Sequence, residues 1–111
     1  MTYIEFGGMR IEANKEGYVA NPATWTKELA EYMAQKDGLT LTDDHWEIII
    51  YLREYFNKYK IAPMIKILVR EIGKNKGIEK GNTHYLYALF PKGPAKQACR
   101  YAGLPEPVGC V

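Results

Sequence analysis

A chain of 111 residues and 12.7 kDa, 47% hydrophobic with nine Tyr, three Phe and two Trp, carries enough apolar side chain for one core and leaves a second domain unexpected. The opening MTYIEFGGMRIE lacks a basic start, a long apolar stretch and a small-residue cleavage site, and no apolar run nears the roughly 20 residues that span a bilayer, so a cytoplasmic protein without membrane insertion is expected. The net charge of +2 hides an asymmetry, −5 over residues 1–50 and +7 over residues 51–111, which suits an acidic protein or nucleic-acid surface or simply solvates two ends of a globule.

Tyr3-Ile4-Glu5-Phe6 and Met9-Arg10-Ile11-Glu12 flank Gly7-Gly8, a pair that accepts the positive φ angles of a two-residue hairpin turn. That register sets Phe6 opposite Met9, Glu5 opposite Arg10 and Ile4 opposite Ile11, with one apolar side and one charged side. A first helix is expected from a cap at Asn21, with Pro22 at its first position, through WTKELAEYMAQK to a stop at Asp37-Gly38, with Trp25, Leu29 and Met33 facing inward. A second starts at Thr42, with Asp43 and Asp44 at the positive end of its dipole, and Trp46, Ile49, Ile50, Arg53 and Phe56 at helical spacing. Pro63 opens a third, PMIKILVREIGKNKG, with Met64, Ile65, Leu68 and Ile72 on one face and Gly73 and Gly77 loosening its end.

After the loop GIEKGN, Asn82 or Thr83 caps a short helix, HYLYALF, that Pro91 terminates. The last helix, GPAKQACRYAG, has Pro94 in its first turn and Gly103 past its end, and places Cys99 on a narrow face with Ala95, Ala98 and Ala102. LPEPVGCV has no period, and Pro105 and Pro107 favour an extended arm. The expected fold is mainly α: a compact orthogonal bundle of about five helices with a small N-terminal β-hairpin (1–12), a helical body (22–102) and a flexible C-terminal arm (103–111).

The two cysteines, Cys99 and Cys110, are the candidate chemistry, because a reducing cytosol makes a structural disulfide the least expected use of them. Gly103 and Gly109 offer pivots, Leu104 and Val108 can seat the arm on an apolar groove, and from Leu104 an extended arm would carry Cys110 about 20 Å. Nothing local lowers the Cys110 pKa, so its reactivity would come from exposure, whereas Lys96 and Arg100 could favour a Cys99 thiolate. Equally, Cys99 reads as a small buried apolar residue and Cys110 as a chance exposed thiol.

LFPKGPAKQACRYAGLPEPVGCV and LTDDHWEIIIYLREYFNKYKIAP together resemble the DsrC/TusE family of sulfur carriers, which includes the gamma subunit of dissimilatory sulfite reductase. The resemblance implies that Cys110 bears sulfur. It implies that Cys99, which the tRNA-thiolation branch lacks, joins it through a trisulfide or disulfide, placing the chain in the sulfite-reductase branch. The implied partners are the DsrAB catalytic subunits, whose siroheme Cys110 would approach, together with a membrane-bound reductase or other sulfurtransferases. The protein would be a carrier and cosubstrate, not the reductase, with no cofactor of its own and with Gly103, Leu104, Pro105, Pro107 and Gly109 forming the docking arm. A TusE-like relay toward tRNA 2-thiouridine is the alternative. Lys66 departs from the arginine expected after Pro63, which removes any bidentate contact made there.

Two rivals carry less. His45 and His84 with the cysteines lack zinc spacing, so no metal is expected. Lys66, Arg70, Lys74 and Lys76 along one helix could mimic a helix-turn-helix reader of DNA, although the small net charge speaks against nucleic acid.

Overall fold

A computed structural model of the chain describes residues 2–107. Strands β1 (Thr2–Phe6) and β2 (Met9–Ala13) pair antiparallel in the expected register, Phe6 opposite Met9 and Ile4 opposite Ile11. Gly7 and Gly8 sit at φ 58° and 78°, the left-handed pair that a primed two-residue turn requires. An isolated bridge joins Ala13 to Val19 in the segment that follows, and a Phe6–Tyr32 ring contact at 5.2 Å docks the hairpin on the helices.

Five helices follow: α1 (Lys27–Lys36), α2 (Asp43–Tyr59), α3 (Ile65–Lys76), α4 (Thr83–Leu89) and α5 (Pro94–Tyr101). The mainly α, five-helix expectation with an N-terminal hairpin holds. The first helix differs from its expected course. Asn21 caps only a short 3-10 turn, Pro22–Thr24, the chain then extends at Trp25 (φ −67°, ψ 141°), and Thr26 caps α1 anew by accepting from the Leu29 N–H at 3.1 Å. Leu29 and Met33 still face inward, whereas Trp25 turns elsewhere.

On α2 the buried stripe is His45, Ile48, Ile49 and Leu52, one position round from the expected face, and Ile50 is exposed. His45 sets this rotation. The Thr42 N–H donates to Nδ1 at 3.0 Å, so Nε2 carries the proton and donates to the Leu89 carbonyl at 2.8 Å, tying α2 to α4. Gly73 does not loosen α3, which continues to Lys76. It lets the following loop close on the helix, where a Cβ on Gly81 would lie 2.2 Å from the Gly73 Cα.

The shortest face of the sequence becomes the centre of the molecule. Pro94, Ala95, Ala98, Cys99, Tyr101 and Ala102 are buried, and α5 touches each of the other four helices. Small residues at i, i+3, i+4 and i+7 allow that close approach, since each removes side-chain volume between helix axes.

Candidate functional site

Cys99 lies at this centre with no exposed surface, and burial pushes its thiol well above the ordinary cysteine range. The expected thiolate is therefore corrected. Lys96 is exposed and Arg100 is directed to a carboxylate, so neither offsets the loss of water around the sulfur. Cys110 and Gly109 lie outside the described residues, as does Val108.

The end of α5 is fixed carbonyl by carbonyl. Gly103, at φ +70°, donates to the Arg100 carbonyl at 3.1 Å, and Leu104 donates to the Cys99 carbonyl at 3.0 Å, which is a Schellman turn. The next two carbonyls have no backbone partner left, because the chain has already turned away. The Trp25 indole Nε1–H donates to the Tyr101 carbonyl at 2.7 Å, and Arg53 Nη1 donates to the Ala102 carbonyl at 2.8 Å. Arg53 also reaches the Pro22 carbonyl at 3.3 Å and lies over the Trp25 ring, 4.3 Å from its centroid. This answers why the helix breaks at Trp25: an extended residue there delivers the indole to a helix end 76 positions away.

The arm expectation changes accordingly. Gly103 is no pivot, since a Cβ there would meet Trp25 at 2.6 Å. Leu104 is 1% exposed and Pro107 is buried, with only Pro105 and Glu106 outward, so residues 103–107 lie on the body. Reaching about 20 Å from Leu104 would require lifting that stretch away.

On its flank toward α1, α5 is held by a polar chain. The Lys92 N–H donates to Gln97 Oε1 at 2.8 Å, Gln97 Nε2 to the Tyr101 hydroxyl at 2.7 Å, and that hydroxyl to Asp37 Oδ2 at 2.6 Å. Arg100 pairs with the same carboxylate, and the Lys92 ammonium lies 3.5 Å from its other oxygen. Burial alone would raise the Asp37 pKa, but the Tyr101 hydrogen bond and the Arg100 and Lys92 charges together hold it below the ordinary value. Tyr101 is pushed up to about 12 by burial and by Asp37, so it stays a donor. Tyr18 braces the other side, its hydroxyl on the Lys96 carbonyl at 3.2 Å.

The sequence alone does not show that Asp37, Gln97 and Tyr101 form one polar chain on the flank of α5, nor that Trp25 serves the end of that helix. Thr26 followed by Glu28 was a second helix-start signal that would have marked the break. Of the rivals, no metal-holding group of His, Cys, Asp and Glu occurs among the described residues, and both His45 nitrogens are engaged. On α3, Arg70 and Lys74 pair with Glu71 and Lys76 with Glu47, so the basic row is partly neutralised. Lys66 is exposed. Among the described residues no helix is long and apolar enough to cross a membrane.

The sequence profile of the family described as "DsrC like protein" matches residues 5–111. The chain is similar to the sulfurtransferase TusE of Photorhabdus laumondii, 45% identical over 111 residues with 100% of each chain covered. Among solved structures it is similar to Allochromatium vinosum DsrC (52% identity, TM-score 0.89, 99% of this chain and 98% of that one). It is also similar to the oxidized gamma subunit of the dissimilatory sulfite reductase (DsrC) of Archaeoglobus fulgidus (41% identity, TM-score 0.83, 98% and 99%).

Proposed function

The chain belongs to the DsrC-like family, and from that premise we propose that it is a sulfur carrier whose Cys110 accepts a sulfur atom and hands it on. What supports the reading is the family match itself, which runs through residue 111 and so takes in the segment with Cys110. In the proposed step the Cys110 thiolate attacks the outer sulfur of a donor persulfide. The donor S–S bond breaks, the donor leaves as a thiolate, and Cys110 becomes the persulfide. Cys99 can then attack the Cys110 sulfur, forming the Cys99–Cys110 disulfide and releasing hydrogen sulfide, a step without external oxidant.

The identity of the exchange partner separates two readings. The name of the P. laumondii relative favours a relay between sulfurtransferases, which the family resemblance connects to tRNA thiolation. The presence of Cys99 and the likeness to the A. vinosum and A. fulgidus DsrC structures favour service to the DsrAB subunits of a sulfite reductase, with siroheme on that partner and a trisulfide joining the two cysteines. The names of the relatives weigh more toward the relay. Mass spectrometry after incubation with polysulfide is expected to show sulfur added at Cys110 and none in Cys110→Ser; loading of the serine variant would end the carrier reading. Full sulfur transfer by Cys99→Ala supports the relay, and loss of product release in that variant supports the two-cysteine cycle.

A further inference from the structure

Arg53 is a half-buried cation with no carboxylate partner among the described residues, and burial lowers its pKa. A cation in that position is costly unless something nearby needs its charge. Its donors go to two backbone carbonyls, its face goes to Trp25, and Trp25 in turn holds the preceding carbonyl and covers Gly103. Both residues therefore converge on the turn that begins at Cys99 and ends at Leu104. An apolar contact across the turn frequently accompanies this geometry, and here the Leu104 N–H is bonded to the Cys99 carbonyl while both side chains belong to one buried cluster.

We propose that Trp25 and Arg53 are positioning residues for the second thiol: they latch residues 101–104 onto the body and thereby set how often Cys99 becomes available to Cys110. The inference rests on the two-cysteine reading of the carrier. A thiol with no exposed surface cannot attack a persulfide until its cover lifts, so the reaction at Cys99 includes a local opening of the α5 end. The latch makes that opening rare without tying it to the protonation of any carboxylate. The clamp consists of three hydrogen bonds to carbonyls and one cation on a ring, and no described acidic group joins it directly.

The test is alkylation of Cys99 by iodoacetamide in the full chain carrying Cys110→Ser, followed across sub-denaturing urea. Trp25→Phe removes only the indole donor and keeps the ring beside Gly103, and Arg53→Lys keeps a cation but loses the fork. Stripping a donor from a buried carbonyl is expected to speed Cys99 alkylation roughly tenfold in each variant, with little urea dependence, because the opening is local. As a control, Asn82→Ala, which removes the cap that accepts from the Tyr85 N–H, lowers global stability and leaves Cys99 alkylation in water unchanged. Wild-type alkylation rates in both latch variants, or acceleration with the urea dependence of global unfolding, overturn the inference. Neither result touches the carrier reading, which stands or falls on sulfur loading of Cys110→Ser.

Discussion

Arg100 and Arg53 both serve α5, yet they sit in opposite kinds of surroundings. Arg100, on the flank toward α1, shares the Asp37 carboxylate with Tyr101 and Lys92, so that side is held by charges that titrate. Arg53, at the helix end, holds carbonyls and an aromatic ring, none of which titrates in the accessible range. The flank is thus sensitive to acid and the end is not. Cys99 is on the same helix, one residue before Arg100 and three before the Ala102 carbonyl that Arg53 holds, so the chemistry proposed for it would leave the flank contacts of the helix on separate groups.

The largest test of this division is Gly103→Ala. Alanine in the left-handed region costs about 1–2 kcal/mol, and its Cβ would press into Trp25 at 2.6–2.9 Å, so a total loss near 3 kcal/mol is expected by urea denaturation. A loss below about 1 kcal/mol would mean that the helix end is not pinned by the Trp25 contact.

Asp37→Asn comes next, at about 2 kcal/mol near neutral pH, because Arg100 and Lys92 lose their common anion. Since the folded state holds the Asp37 pKa below its unfolded value, the stabilisation is fully present above the ordinary aspartate pKa of about 4. It is lost as the pH falls from there through the lower folded value. Thermal melts of the two proteins should therefore converge in strong acid, whereas the deficit caused by Arg53→Lys should persist across the same range. Parallel acid profiles for the two variants would erase the distinction between flank and end.

Cys99 gives the alkaline counterpart. Its raised folded pKa means that stability is fully present below the ordinary thiol value of about 8.5 and declines as the pH rises toward the folded value. One pH unit above the ordinary value the decline attributable to this group is about 1.4 kcal/mol. Denaturant midpoints measured across that range should fall more steeply for the wild type than for Cys99→Ala, and equal slopes would place the thiol in contact with water.

What the sequence disclosed and what it withheld divide along the same line between local and distant causes. The hairpin register was readable because Gly7-Gly8 and the alternation of Ile4, Phe6, Met9 and Ile11 act within a dozen residues. The caps at Thr42 and Asn82, Pro94 opening α5, and the small-residue face of Cys99 are local in the same way. By sequence Trp25 is one more helical position, because its reason for leaving the helix is the Tyr101 carbonyl, which no window around Trp25 contains. Asp37 looked like a stop signal and is the anion for Arg100, 63 residues away. Gly103 looked like a hinge because glycine permits motion, and the structure uses it instead for close approach to an indole.

The smallest expected effect lies in the hairpin, where the same residue types occur without burial. Arg10 lies 3.9 Å from Glu5 and 4.4 Å from the centre of the Tyr3 ring, with the side chains of the ion pair 67% and 79% exposed. An exposed pair of this kind is worth little, so Glu5→Gln should change stability by less than about 0.3 kcal/mol, and Arg10→Ala, which also removes the ring contact, by about 0.5 kcal/mol. Raising the salt concentration should shrink the first difference more than the second. Arg53 makes the same contact with an aromatic ring at nearly the same distance, 4.3 Å, but with its guanidinium half-buried and hydrogen-bonded. If Arg10→Lys cost as much as Arg53→Lys, replacement of the guanidinium over the ring would alone account for both. The expected gap between them assigns the difference to the two carbonyls that only Arg53 serves.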